Sequence, residues 1–202
     1  MLKYTSVGSR ETPTEELMLQ SKFVYLLNRA GALVRTGDCK LGGDLYTRHS
    51  VKFHPEAIEV YSPKDVSQAA LDLAAKFHPY WHNCKDYHRL LHARNGYQVL
   101  GPLLNDPSSF MLCYTPSGAI THEERIKQFK KTGGTGQAIA LAEAHHVPVF
   151  NLGRSDHKTM IEDFVYKGIP FHETLSEWLK SRPEYFHFAT PKSKVLITVV
   201  NP

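Results

Sequence analysis

The chain has 202 residues, 42% hydrophobic and 22% charged, a composition ordinary for one soluble globular domain with elaborations. No window approaches the roughly 18 apolar residues of a membrane span, and the N-terminus Met-Leu-Lys-Tyr-Thr-Ser lacks the apolar core of a signal peptide. Cys39, Cys84 and Cys113 supply neither a disulfide framework nor a paired Cys-x-x-Cys signature, and the net charge of +4 suits anionic ligands while falling short of a dedicated nucleic-acid binder.

Leu2 to Val7 reads as a first strand that ends at Gly8-Ser9-Arg10-Glu11. Thr12-Pro13-Thr14-Glu15-Glu16 then carries helix-start signals: a hydroxyl cap, an early proline and first-turn acids. Leu17, Leu19, Phe23, Leu26 and Leu27 continue that helix to Gly31, and Ala32 to Arg35 forms a second strand running into Thr36-Gly37-Asp38. Gly42-Gly43-Asp44 opens a second helix that ends before His54-Pro55. Ala57 to Tyr61 is a third strand, followed by a helix from Asp65 to Phe77, a polar and aromatic loop from His78 to Tyr87, and a helix from His88 to Leu100.

Ser109 to Tyr114 reads as a buried fourth strand, residues 115–132 as a polar stretch, and Gly133-Gly134-Thr135-Gly136-Gln137 as a glycine loop opening into the helix Ala138 to Ala144. Val147 to Leu152 is the fifth strand. Helices near 156–167 and 173–181 and a strand from Val195 to Val200 complete the chain. This alternation predicts an α/β fold with a parallel sheet of about five strands and helices on both faces over residues 1–153. Residues 154–202 form a C-terminal helical extension with a final strand.

Ligands of such sheets sit beyond the carboxyl ends of the strands. Gly8-Ser9-Arg10, Thr36-Gly37-Asp38 and Gly133 to Gln137 gather on that rim. A glycine loop at a helix start directs bare N–H groups at an anion, although an ordinary tight connection explains Gly-Gly alone equally well. The loop matches neither the Walker pattern nor the full Gly-x-Gly-x-x-Gly fingerprint.

The segments Tyr4 to Pro13, Arg35-Thr36-Gly37, Leu91 to Gly101, Gly133 to Ala138 and Pro148 to Gly153 together resemble the DNA-processing protein A family, in its phage- and bacteria-borne forms. That family lies within the wider SLOG group of Rossmann-like nucleotide binders. The resemblance implies a Rossmann-like fold and a nucleotide ligand. Another branch, the cytokinin-activating phosphoribohydrolases, pairs an arginine in Met-His-x-Arg-Lys with a glutamate in Gly-Gly-x-Gly-Thr-x-x-Glu. Leu91-His92-Ala93-Arg94-Asn95 resembles the first motif and carries Arg94 over; the glutamate position holds Ala140, preceded by Ile139. Cleavage through an oxocarbenium-like state needs a carboxylate there. Glu143, one turn on, is the nearest substitute, with a solvated or arginine-paired helix glutamate as its structural alternative. Relatives also follow Arg-Thr-Gly with small residues, where this chain has Asp38-Cys39-Lys40-Leu41-Gly42-Gly43-Asp44.

The candidate nucleotide-binding residues are therefore Gly8, Ser9, Arg10, Glu11, Thr36, Gly37, Asp38, Asp44, Arg94, Asn95, Gly133, Gly134, Thr135, Gly136 and Gln137. Arg94 and Glu143 are the catalytic pair if the protein is an enzyme. Arg10 offers a bidentate anion contact, against a salt bridge with Glu11 or Glu15. A buried Arg94 requires an anionic partner, ligand or protein. Thr135 and Gln137 contact the ligand or simply cap, and Glu11 and Asp44 are candidates for ribose hydroxyls.

His78/His82 and His88/His92 are spaced four apart around Cys84, a pattern that suits zinc on helices. Polar loop histidines or a ligand-contacting His92 are preferred, and no metal or other cofactor is expected. The resulting expectation is a cytoplasmic homo-oligomer that binds a phosphorylated nucleoside or nucleotide-derived signal and sequesters it. A nucleotide N-glycosidic hydrolase and a single-stranded DNA-binding recombination factor are the alternatives.

Overall fold

A computed structural model describes residues 1–169. Five parallel strands, β1 (Lys3–Ser6), β2 (Leu33–Gly37), β3 (Ile58–Tyr61), β4 (Met111–Cys113) and β5 (Val149–Asn151), form one sheet in the order β3-β2-β1-β4-β5. Pairing places Thr5 beside both Arg35 and Met111, and Cys113 beside Asn151. The order reverses between β1 and β4, and the crevice beyond their carboxyl ends is where open α/β sheets bind ligands.

Helices α1 (Thr14–Arg29), α2 (Gly42–Ser50) and α8 (Ser155–Lys167) cover one face. Leu19, Phe23, Leu27, Met160, Ile161 and Phe164 pack there on Tyr4, Val34, Phe110 and Phe150. Tyr4 stacks on Phe110 at 5.1 Å and Phe23 meets Phe164 edge-on at 5.4 Å, so truncating one of these rings costs about 3–5 kcal/mol. Helices α3 (Gln68–Phe77), α4 (Asp86–Leu100) and α7 (Thr135–Ala144) cover the other face, where Val99, Ile139, Leu141 and Ala142 pack on Met111, Cys113 and Val149. With both faces covered, β4 (Met-Leu-Cys) is wholly apolar and buried, while β1 and β2 also carry the buried polar residues Thr5, Ser6, Arg35 and Thr36.

Several expected boundaries shift. A 3-10 turn at Pro63–Asp65 precedes α3, which starts at Gln68, where Ser67 Oγ accepts the Ala70 N–H. The polar stretch 115–132 contains α5 (His122–Lys127) and α6 (Phe129–Thr132). Thr121 Oγ1 accepts the Glu124 N–H and Glu124 Oε2 accepts the Ile120 N–H, a capping arrangement encoded by Thr121-x-x-Glu124. The hydroxyl expected to cap α1 does not: Thr12 Oγ1 turns back to donate to Ser9 O at 2.6 Å. Helix α7 begins at Thr135, so only Gly133 and Gly134 of the glycine loop lie outside it. The helix at 156–167 is α8; the helix at 173–181 and the strand Val195–Val200 lie outside the described residues.

Candidate functional site

The rim is assembled by close backbone packing. A Cβ on Gly42 would overlap Ser9 O, and one on Gly43 would lie 2.8 Å from Gly8 N. The loop after β1 therefore rests directly on the start of α2. Within that loop Ser9 O accepts from Thr12 N (3.2 Å) and Thr12 Oγ1, while Ser9 Oγ accepts the Glu11 N–H at 3.1 Å. Ser9 N reaches Tyr114 O at 3.4 Å across the switch point. Arg10 and Glu11 are exposed, and Arg10 makes no ion pair among the described residues. Glu15, its alternative partner, is taken by Lys158 at 2.8 Å.

Arg94 finds its anions within the protein. Its guanidinium donates to Asp38 Oδ1 at 3.0 Å and to Asp44 Oδ2 at 3.2 Å. Arg94 and Asp44 are both buried, and a Cβ on Gly37 would overlap the pair. Arg48 secures the same loop through Gly37 O at 2.5 Å and Cys39 O at 2.7 Å. Burial pushes the Asp44 carboxyl up, opposed by the nearby charges of Arg94 and Arg48. The next residue, Asn95, donates from Nδ2 to Gly134 O at 3.1 Å. Helix α4 thereby ties the β2–α2 loop to the Gly133–Gly134 turn.

Gly133 has φ +52°, and no atom lies within 4 Å of a Cβ built on Gly133 or Gly134. Both are exposed. Gly8, Ser9, Gly37, Asp38, Asp44, Arg94, Asn95 and Gly134 thus form one connected array, with Arg10, Glu11 and Gly133 exposed at its margin. Three other candidates point inward. Thr36 is buried in β2, its hydroxyl without a partner among the described residues. Thr135 is buried in the first turn of α7. Gln137 donates to Ala74 O at 2.9 Å and accepts from Arg125 at 3.4 Å. Gly136 is packed 2.7 Å (as a built Cβ) from Thr132 Oγ1.

Ala140, at the position where the phosphoribohydrolase motif that this segment resembles has its glutamate, is 1% exposed. Glu143 accepts the His122 N–H at 2.5 Å and so caps α5.

Arg125 was not legible as a site residue. It is 1% exposed and forms no ion pair among the described residues, its contacts being Gln137 and, at 5.9 Å, the Phe129 ring. Its Nε has no hydrogen-bond partner among the described residues. Burial draws its guanidinium down to about 10. An uncompensated buried cation favours an anion nearby. Burial first, then the charges of His78 and Arg125, hold His92 down at about 4, neutral at physiological pH. The sequence signal for Arg125 was only an arginine inside a charged run, which normally means a solvated face.

No family model, curated protein or solved structure matches the chain. Among the described residues no helix is long and apolar enough to cross a membrane.

Proposed function

We propose that the protein binds a phosphorylated nucleoside or a nucleotide-derived signal molecule beyond the carboxyl ends of β1 and β4, and holds it without cleaving it. The observation that carries this reading is the exposed Arg10 on a glycine-bearing turn at the switch point of a β3-β2-β1-β4-β5 sheet, with no protein anion of its own among the described residues. The exposed Gly133–Gly134 turn, open to close approach of a ligand, supports it. So does the resemblance of the glycine segments to the SLOG group. Sequestration of a signal, as in phage counter-defence, needs this frame and no catalytic acid. Ala140 is buried and Glu143 is engaged at α5, which favours holding over cutting.

A hydrolase is the second reading, favoured by one observation: Asp44, buried beside Arg94 with its carboxyl raised by burial, has the environment of a general acid. Mass spectrometry of the small molecule released when the purified protein is denatured tests both. An intact nucleotide or nucleotide derivative supports binding. Steady release of free base from added nucleotides, lost in Asp44→Asn, would overturn it in favour of the hydrolase.

A further inference from the structure

Helices α3 and α4 form an antiparallel hairpin whose connection, residues 78–85, brings three metal-ligating side chains together. His78 follows the last residue of α3, Cys84 follows a 3-10 turn at Trp81–Asn83, and His92 lies in the second turn of α4. One ligand atom from each lies within 4.8 Å of the other two. Cys84 Sγ is 3.7 Å from both ring nitrogens of His78, and the His78 and His92 rings are 4.4 Å apart between centroids at 48°. Tetrahedral zinc with Zn–S of about 2.3 Å and Zn–N of about 2.05 Å sets its sulfur and nitrogen ligands about 3.5 Å apart. The Cys84–His78 separation is near that value, but the sulfur stands equally far from both ring nitrogens. The three ligand atoms extend to 4.8 Å from one another, so metal binding requires the His78 ring to turn and the cluster to contract.

We propose that His78, Cys84 and His92 bind a zinc ion, with the fourth position open to water or a small anion. The donor set is two imidazoles and a thiolate, which selects zinc over the hard cations magnesium and calcium. His92 Nδ1 is buried without a hydrogen-bond partner among the described residues, an unmet polar atom at the cluster. The bonds that a metal replaces are weak ones: Tyr80 N–H to His78 Nδ1 at 3.2 Å, and the Cys84 thiol to Tyr80 O at 3.6 Å. Ligation through His78 Nδ1 displaces the first, and the thiol proton leaves to solvent. Phe129 and Trp81 pack edge-on against His78, at 5.8 and 6.1 Å, and restrict access to the ring. The pairs four apart that first suggest zinc are not the ones that meet. His82 and His88 are exposed, and the loop brings Cys84 in instead.

The test uses the full chain, loaded with zinc, desalted, and assayed for metal by elemental mass spectrometry. About one zinc per chain is expected, with about tenfold weaker retention in Cys84→Ser and in His92→Ala. Cobalt(II) substitution adds a readout that a merely structural cysteine would not give: a thiolate-to-cobalt charge-transfer band, absent from Cys84→Ser. Failure to retain zinc, or equal retention by wild type and both variants, overturns the site. If either variant fails to fold by circular dichroism, the wild-type cobalt band decides alone: its presence supports thiolate ligation, its absence overturns it.

Discussion

Asp44 and Arg94, 50 residues apart in the chain, meet as a buried ion pair at 3.2 Å directly over the end of β2. The pair exists because residue 37 has no side chain: a Cβ there would overlap both groups. Gly37→Ala should therefore separate them and lower stability by about 3 kcal/mol, the cost of breaking a buried pair. The double substitution Arg94→Met with Asp44→Leu should cost less than the sum of the single ones, because no buried charge is stranded. Urea denaturation of the set measures this, and additive losses would contradict it.

Arg125 carries its charge into the protein without an ion-pair partner among the described residues. Arg125→Met keeps most of the volume and removes the desolvation cost, so thermal melting of the ligand-free protein should hold or rise. A fall in melting temperature of several degrees would mean that the guanidinium has a stabilising partner.

The two ends of the glycine segment should respond oppositely. Gly134 has helical dihedrals and no neighbour within 4 Å of a built Cβ, so Gly134→Ala should leave stability equal or raise it by about 0.4–1 kcal/mol. If a ligand rests on this turn, the same variant should weaken its binding about tenfold, or roughly 1.4 kcal/mol. Gly136→Ala meets Thr132 and should destabilise by about 1–3 kcal/mol. Urea denaturation of both variants beside wild type measures the opposite responses, and a loss of stability in Gly134→Ala would contradict them.

Asp106 links the amino ends of the strands, accepting from Lys3 Nζ and from Arg35 Nη2, each at 2.6 Å. Lys3 above all, and Arg35 with it, hold its carboxyl below the usual range despite some burial. Its stabilising contribution is thus present above the unfolded value of about 3.9 and is lost as pH falls through the lower folded one. Asp106→Asn should melt lower than wild type near neutrality, and the difference should shrink below about pH 4. The effect is modest because the carboxyl is half exposed. Parallel melting curves across that range would rule the contribution out.

Much of the fold was legible because its signals are local. Apolar spacing and the glycine and proline stops located all five strands and the main helices, and alternation implied the parallel sheet. The misplaced boundaries have local causes too: Thr121-x-x-Glu124 caps a helix inside a polar stretch, and Thr12 spends its hydroxyl on Ser9 O. Of the rim, Gly8, Gly37, Arg94, Asn95 and Gly134 were legible as glycine turns and an arginine embedded in an apolar helix. Thr36, Thr135 and Gln137 were not legible as inward-facing, since orientation depends on which neighbour packs against the element.

The sequence by itself determined the order of elements, the parallel α/β architecture and the loops that reach the rim, all consequences of short-range propensity and periodicity. Only the tertiary structure decided the partners. It gave Arg94 the carboxylates of Asp38 and Asp44, left Arg125 buried without one among the described residues, and joined Cys84 to His78 and His92 rather than pairing histidines four apart. The physical reason is common to all three. The energy of a buried charge or a metal ligand depends on atoms within a few ångströms, and those atoms come from segments brought together only when the helices pack on the sheet.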